Sequence, residues 1–585
     1  MKYAVIPSSQ SVVHHCKARG IKNIIISPGS RNAPLTIGFT GDPFFKCFSI
    51  VDERCAAFFA LGMAQQLREP TVLVCTSGSA LLNYFPAVAE AFYSDVPLVV
   101  ISADRPGYKV DIGDGQTIRQ ENVFGNHVGY GANLRLDVAH ATDKVRKYDP
   151  TSLSGGSLME VQAAVQRFND AELDKALNMA FFKSVPVHIN VPFEEPLYGM
   201  VEGPTVVPSV RFVGEQAQGL DPASFGQYAR MWNSADRKIV LVGVNFPGTI
   251  EQRYLEMLAT DPSVIVLTES TSNLYHPNFF PSIDSIIAPI EKSQDRAYLF
   301  QELRPTILLT FGGLVVSKKV KAFLREYTPR FHWHIDDHKA LDTFFSLTDY
   351  FKVRPNIFFG QLIQHYVPKE SGYREYWSGI KDRYTGKRKA YLGNIPFSDM
   401  LAFYHVMCSI PNDYQLQLGN SSTVRYAQLF DIPPSVTVFC NRGTSGIDGS
   451  TSTAVGAAYY ATEPTLLVTG DLSFLYDSNG LWNSYIRPDF RIIIINNGGG
   501  GIFRILPGKE ETENFETFFE TTQQLDLGLL AGVYNFEFRK ASEAQGLREA
   551  LDDFFRDSHR PKILEIETPR LLNDKVLLSY FDFIS

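Results

Sequence analysis

The strongest constraint on this chain is that part of it occurs twice. The segment LGMAQQLREPTVLV, starting at Leu61, aligns without gaps on VGAAYYATEPTLLV, starting at Val455, an offset of 394. Seven of the fourteen positions are identical, including Glu69-Pro70-Thr71 against Glu463-Pro464-Thr465. The same offset sets the run PLVVIS at Pro97 on RIIIIN at Arg491. A helix of small residues, a Pro-marked turn and two β-branched strands thus recur together, which predicts duplication of a whole α/β domain. The wider pattern agrees. Short apolar runs (IKNIIIS, PTVLVCT, VPLVVIS, PVHINV, KIVLVG, PTILLTFG, TLLVTG, RIIIIN) alternate with helix-length segments, as in parallel sheets covered on both faces. The loops after the matched strands differ, Thr76-Ser77-Gly78-Ser79 in the first copy and Gly470-Asp471-Leu472-Ser473 in the second. Ligands of open α/β sheets gather at those carboxyl ends, so the copies share a scaffold and differ in the site.

Between the copies, KIVLVG, SVIVLT, TILLTFG and HWHID predict a further doubly wound sheet. The Pro/Gly-rich stretch Pro192 to Pro208 and the polar stretch Lys369 to Lys389 read as boundaries. The expected organisation is three doubly wound, mostly parallel α/β domains, at 1–195, 207–368 and 390–585, the first and third related by duplication. With 55 basic against 63 acidic residues and no dense basic stretch, nucleic acid is not an expected partner. Apolar runs are strand-sized, far short of the ~18 residues of a membrane span, and MKYAVIPSSQ lacks the apolar core of a secretion signal. Six scattered cysteines without CxxC spacing imply neither zinc site nor disulfide framework. A cytoplasmic protein is expected.

In the second copy, Gly470-Asp471 ends one strand and Asn496-Asn497 the next, with 26 residues from Asp471 to Asn497 and four glycines, Gly498 to Gly501, beyond. A carboxylate, an amide oxygen and an exposed backbone carbonyl are hard ligands that suit Mg²⁺ sharing a phosphate group, and glycines let backbone approach a phosphate. Singly, each piece reads equally as a strand-end Asp capping a helix, or as a Gly/Asn turn. Together, the spacing resembles the thiamine-diphosphate-binding motif of that cofactor superfamily. The resemblance implies Asp471, the Asn497 side chain and the Gly499 backbone oxygen as ligands of Mg²⁺, with Mn²⁺ able to substitute. No Walker loop and no strand-linked GxGxxG is present.

The first copy should then serve the other end of the cofactor. Asp52-Glu53 opens the Ala/Gly-rich helix Ala56 to Gln66, where an acidic residue alone would read as a cap. In the superfamily pattern a Glu stands there, and Glu53 matches it. Its carboxylate would hold the aminopyrimidine ring nitrogen and favour the tautomer that takes the thiazolium proton. Thr76, Ser77 and Gly78 on this copy, and Gly470, Leu472 and Ser473 on the other, are the expected cofactor loops. Since the copies hold opposite ends of one cofactor, a homodimer or homotetramer with active sites at a dimer interface is expected.

Five motifs narrow the resemblance: Ser27-Pro28-Gly29-Ser30-Arg31, Ala103-Asp104-Arg105-Pro106, Gln116-Thr117-Ile118-Arg119-Gln120, Gly419-Asn420-Ser421-Ser422-Thr423-Val424-Arg425, and Asn441 through Gly449 (NRGTSGIDG). They resemble those of the 2-succinyl-5-enolpyruvyl-6-hydroxy-3-cyclohexene-1-carboxylate synthase family, the transferases of menaquinone biosynthesis. That family joins 2-oxoglutarate, after decarboxylation, to isochorismate. Two dianionic substrates need cations in an acidic protein, and Arg31, Arg105, Arg425 and Arg442 stand at predicted strand ends or loops. Family analogy gives Ser421 and Arg425 to the succinyl carboxylate. It gives Ser30, Arg31, Arg105, Gln116 and the central pair Lys318-Lys319 to isochorismate, and sets Arg442 near both. Ile447 matches the residue that props the bent cofactor, while Ile502, Phe503 and Leu506 would form the apolar wall over the thiazolium.

The family pair in the central domain is often Lys-Arg, so Lys319 departs from it, keeping charge and losing the guanidinium fork. The two lysines read equally as the start of a solvated helix. The His14-His15 pair reads as surface or packing on a first helix. An acetolactate-synthase-like decarboxylase would leave SPGSR, QTIRQ and the arginines without purpose, and a silent scaffold protein would not need Glu53 and the metal motif intact. No cofactor is expected in the central domain.

Overall fold

A computed structural model describes residues 2–214, 219–505 and 512–585. The chain divides into two compact units. One holds Met1–Glu215, Gly443–Thr462 and Asp477–Arg487; the other holds Gln216–Arg442, Glu463–Tyr476 and Pro488–Ser585.

The strands of the first unit are β1 (Tyr3–Ala4), β2 (Asn23–Ile26), β3 (Lys46–Ser49), β4 (Thr71–Cys75), β5 (Leu98–Asp104), β6 (Tyr130–Asn133), β7 (Val187–Pro192) and β8 (Met200–Val201). β1 and β8 form an antiparallel pair, and the other six form one parallel sheet in the order β3-β2-β4-β5-β7-β6. The run Val72–Cys75 and the run Leu98–Ile101 are fully buried, as helices on both faces require.

The helix Glu53–Leu67 leaves the sheet edge with Asp52 as its cap, the carboxylate accepting from Cys55 N at 3.1 Å. It ends at Arg68 in the left-handed region. Every residue from Cys55 to Ala64 is buried, because the sheet and the helix Phe85–Ser94 pack on it and a second apolar helix, Ser450–Tyr460, covers the rest. A Cβ on Gly62 would sit 2.1 Å from the Thr453 carbonyl, and one on Gly456 would sit 2.0 Å from the Phe59 carbonyl. Gly62 and Gly456 are repeat equivalents at the offset of 394, so the two copies of one helix cross backbone to backbone.

The second unit carries two parallel sheets. The central one comprises β9 (Lys238–Val242), β10 (Val264–Leu267), β11 (Ile307–Phe311), β12 (Phe331–Ile335) and β13 (Asp349–Phe351), ordered β10-β9-β11-β12-β13. The other comprises β14 (Gln415–Leu418), β15 (Thr437–Cys440), β16 (Thr465–Gly470), β17 (Arg491–Asn496), β18 (Glu537–Ala541) and β19 (Lys562–Glu567), ordered β15-β14-β16-β17-β19-β18. That order repeats the first sheet strand for strand, so the duplication extends through the whole topology.

The ladders also correct the alignment. Val74 pairs with Ile101, and its equivalent Val468 pairs with Ile493, so β5 maps on β17 at 392 and not at 394. A slip of two preserves which face each side chain takes, and a run of isoleucines hides it.

The polar stretch 369–389, read above as a boundary, is helical for most of its length. It forms most of the helix Tyr373–Leu392, which buries Tyr373, Trp377, Tyr384 and Arg388. Tyr373, Trp377 and Tyr384 recur on one face, a stripe that the many charged residues between them obscure. On the first helix, Pro7–Ala18, His15 is fully buried between Asp170 and Asp174 at 3.1 and 3.3 Å, while His14 is exposed. His15 thus belongs to a buried polar network with Asp170, Asp174 and Arg19.

Candidate functional site

In the first unit, the SPGSR loop and the segment after β5 converge on Thr76-Ser77-Gly78. Gly29 of the SPGSR loop lies against Thr76, where a Cβ would stand 2.4 Å from the threonine Cβ. Gly78 has φ +87°, open to glycine, and its N–H donates to Gln120 Oε1 at 2.9 Å. Arg105 Nη1 donates to Ser77 Oγ at 2.6 Å and to the Gln116 carbonyl at 2.7 Å. Arg31 is buried and donates to the Phe193 carbonyl at 3.1 Å and to Glu195 Oε1 at 3.0 Å. Ser30 and the Gln116 side chain are exposed beside them. Thr76 Oγ1 is buried with no hydrogen-bond partner among the described residues, a position that suits a ligand atom.

Behind this surface runs a buried polar network. Gln120 Nε2 donates to Asn190 Oδ1 at 2.8 Å, Asn190 Nδ2 donates to Asp104 Oδ2 at 2.9 Å, and Ser102 Oγ meets His188 Nε2 at 2.8 Å. Burial pushes the Asp104 carboxyl up, and drives the His188 imidazole down to about 3, so that ring is neutral. To one side, burial alone would raise Glu194, but hydrogen bonds from Lys109, Tyr108 and Lys144 outweigh it and hold the carboxyl at about 2.

Glu53 is the first residue of its helix and half-buried, close enough to Cys75 and Tyr84 for its charge, after burial, to push both groups up. Its repeat equivalent is Ile447, more than a third exposed, on the loop before the helix Ser450–Tyr460. That loop is clamped by Glu90, a fully buried carboxylate on the helix Phe85–Ser94. Glu90 accepts from Gly443 N at 2.7 Å, from Thr444 N at 2.6 Å and from Thr444 Oγ1 at 2.9 Å.

In the second unit, the chain leaves β14 through Gly419, whose absent Cβ would stand 2.8 Å from Thr469 Oγ1. Asn420 Nδ2 donates to the Asn441 carbonyl and Arg442 Nη1 donates to Asn420 Oδ1, both at 2.7 Å, tying two motif loops together. Ser421 takes φ +67° before the helix Ser422–Ala427, which carries Arg425. Burial lowers Arg425, with Asp284 and Glu269 opposing and Arg442 adding to that effect. Glu269 is itself buried, pushed up to about 7, although it accepts from Val316 N and Ser317 N at 2.7–3.0 Å. Lys318 is exposed; Lys319 pairs with Glu291 and lies 5.4 Å over the Phe581 ring. Lys321, one turn beyond Lys318, donates to the Val315 carbonyl at 2.8 Å, and burial lowers it while Glu269 opposes that effect.

The second-copy loops offer oxygens. Asp471 is buried and its carboxyl pushed up to about 6, chiefly by desolvation, while Oδ2 accepts from Gln523 Nε2 at 2.9 Å. Asn497 Nδ2 donates to Asp399 Oδ2 at 2.9 Å, and Asn497 Oδ1 is buried with no partner among the described residues. Gly499, at φ +148°, packs on the Glu520 carbonyl, which a Cβ would approach to 2.7 Å. Glu520 is in turn gripped by Arg504 and Arg570. Gly470 and Leu472 flank Asp471 half-buried, Ser473 is buried, and Ile502 and Phe503 lie in the turn Gly501–Ile505. Leu506 lies outside the described residues. No group of three or more His, Cys, Asp or Glu among the described residues stands ready for a metal, so a cation here needs this mixed oxygen set. The orphaned Asn497 oxygen fits such an ion.

Residues 8–126 match the family described as thiamine pyrophosphate enzyme, N-terminal TPP binding domain. A 2-succinyl-5-enolpyruvyl-6-hydroxy-3-cyclohexene-1-carboxylate synthase of Christiangramia forsetii is 53% identical over 584 residues, covering 100% of both chains. The synthase of the same name from Flavobacterium psychrophilum is 51% identical over 99% of both, and that of Porphyromonas gingivalis 37% over 97% of this chain and 95% of its own. The chain belongs to the 2-succinyl-5-enolpyruvyl-6-hydroxy-3-cyclohexene-1-carboxylate synthase family.

As a member of this synthase family it is an enzyme that uses thiamine diphosphate. Several residues that shape these loops were not among the expected site residues. Glu90 could have been singled out as a lone carboxylate on the apolar face AVAEAF, and Gln120 as the last residue of a motif already quoted. Lys321 and Asp399 had no local signal, because only the tertiary fold brings them to the arginines and to Asn497.

Proposed function

We propose that the chain decarboxylates 2-oxoglutarate and adds the resulting succinyl carbanion equivalent to isochorismate in menaquinone biosynthesis. The end-to-end kinship with the synthases carries this reading, because their product joins a succinyl unit to an enolpyruvyl-cyclohexene carboxylate. Bound thiamine diphosphate supplies a nucleophilic carbon and an electron sink for the charge left by CO₂. Glu53 holds a proton at the pyrimidine end, where its place at a helix start between buried groups limits competition from water. Asp471, Asn497 and the Gly499 carbonyl would hold Mg²⁺, or Mn²⁺, with Gly470, Leu472, Ser473 and Thr76 to Gly78 as the loops that would bind the cofactor.

Ser421 and Arg425 orient the succinyl carboxylate. Arg31, Arg105, Ser30 and Gln116 receive isochorismate, with Arg442 between the substrates and Lys318 and Lys319 at the rim. Lys321, which donates to the Val315 carbonyl at 2.8 Å, is a third lysine on the same helix. Ile447 would prop the cofactor, and Ile502 and Phe503 would form the apolar wall over its thiazolium. Glu53 of one copy and Asp471 of another serve the same cofactor, which makes the working form at least a dimer.

The test is an assay with thiamine diphosphate and Mg²⁺ that compares 2-oxoglutarate with pyruvate, each with and without isochorismate. Turnover with 2-oxoglutarate that rises on adding isochorismate is expected. Equal use of pyruvate would point to a one-carboxylate decarboxylase.

A further inference from the structure

The Asn497 amide has two ways to face a cation, and the surrounding hydrogen bonds allow one. Asp399, the buried first residue of the helix Asp399–Ser409, accepts from Asn497 Nδ2 at 2.9 Å through Oδ2 and from Thr568 Oγ1 at 2.6 Å through Oδ1. Thr568 Oγ1 in turn accepts from Asn573 Nδ2 at 3.2 Å, so its own proton must go to Asp399. Asn573 Oδ1 accepts the Asp399 N–H at 2.8 Å, which closes the ring and sets every donor direction in it. With Asp399 accepting at both oxygens, the Asn497 NH₂ points at Asp399 and its oxygen points away. That oxygen is the buried atom left without a partner among the described residues. Turning the amide over would set oxygen against carboxylate and strand the NH₂.

We infer that Asp399 is a positioning residue for the divalent cation, aiming the Asn497 oxygen at it from 98 residues away in sequence. This rests on the reading of Asn497 as a metal ligand. Outer partners of this kind hold a ligand's orientation before the ion arrives and usually change metal affinity about 10- to 100-fold when lost.

The experiment measures Mn²⁺ affinity by electron paramagnetic resonance of the free ion, with thiamine diphosphate present and no substrate. Asn497→Ala tests the ligand assignment, and unchanged affinity in it overturns the metal reading itself. Asp399→Ala should lower affinity about 10- to 100-fold, while Asp399→Asn, which keeps an acceptor oxygen, stays within about threefold. The deciding variant reverses the bond: Asn497→Asp alone sets two buried carboxylates together and should bind poorly. Asp399→Asn added to it supplies the donor and should restore binding. Full affinity in Asp399→Ala, or no recovery in the reversed pair, overturns the role of Asp399 while the ligand assignment stands. If Asp399→Ala fails to fold, the reversed pair decides alone.

Discussion

A carboxylate at a helix start is ordinarily a cap, yet here the cap is Asp52, which leaves Glu53 available for chemistry. Glu53→Gln should therefore leave the fold and cofactor affinity within a few-fold and lower kcat by about 100-fold or more, as loss of a proton-holding group does. Isothermal titration with thiamine diphosphate and steady-state rates separate the two effects, and near-normal turnover would remove Glu53 from the reaction. Glu269 makes a different prediction. Its folded value of about 7 lies above the ordinary 4.5, chiefly through burial. Below about pH 4.5 both folded and unfolded chains hold the proton and its contribution is full; as pH rises through 7 that stability is lost, at most about 3 kcal/mol. Glu269→Gln should flatten the fall in urea midpoint between pH 5 and pH 8. An unchanged slope would show that other groups set it.

At the scale of elements, the crossing of Glu53–Leu67 with Ser450–Tyr460 depends on having no side chain at two equivalent positions. Gly62→Ala and Gly456→Ala should each push the helices apart and cost about 1–3 kcal/mol, despite alanine's better helix propensity. Thermal unfolding without ligand reads this directly, and a raised midpoint in either variant would mean that propensity outweighs packing. These strands were legible from their β-branched runs, since a doubly covered strand has no polar face to confuse the pattern. The helix Tyr373–Leu392 was not, because charged residues swamp the aromatic stripe that it buries. The slip of two at β17 is hidden in the sequence for a related reason, since four successive isoleucines look alike when shifted by two.

For the whole molecule, the proposed sharing of one cofactor by two copies has a direct consequence. Glu53→Gln chains and Asp471→Ala chains, each inactive alone, should regain roughly a quarter of full activity when unfolded together and refolded, because random pairing leaves that share of sites intact. No recovery, with mixed oligomers present by mass spectrometry, would place both residues in one copy's site. The sequence by itself determined the duplicated α/β scaffold, the cofactor class and the residues of the motif loops. Those signals are local: a strand run, a Gly-Asp followed by Asn-Asn at fixed spacing, arginines beside turns. Only the tertiary structure decided which groups stand behind them. Glu90 reaches the Gly443 loop across 353 positions, Asp399 reaches Asn497 across 98, and Lys319 meets Glu291 from a different helix. Such contacts depend on where separate strands and helices come to rest, and no spacing along the chain encodes that distance.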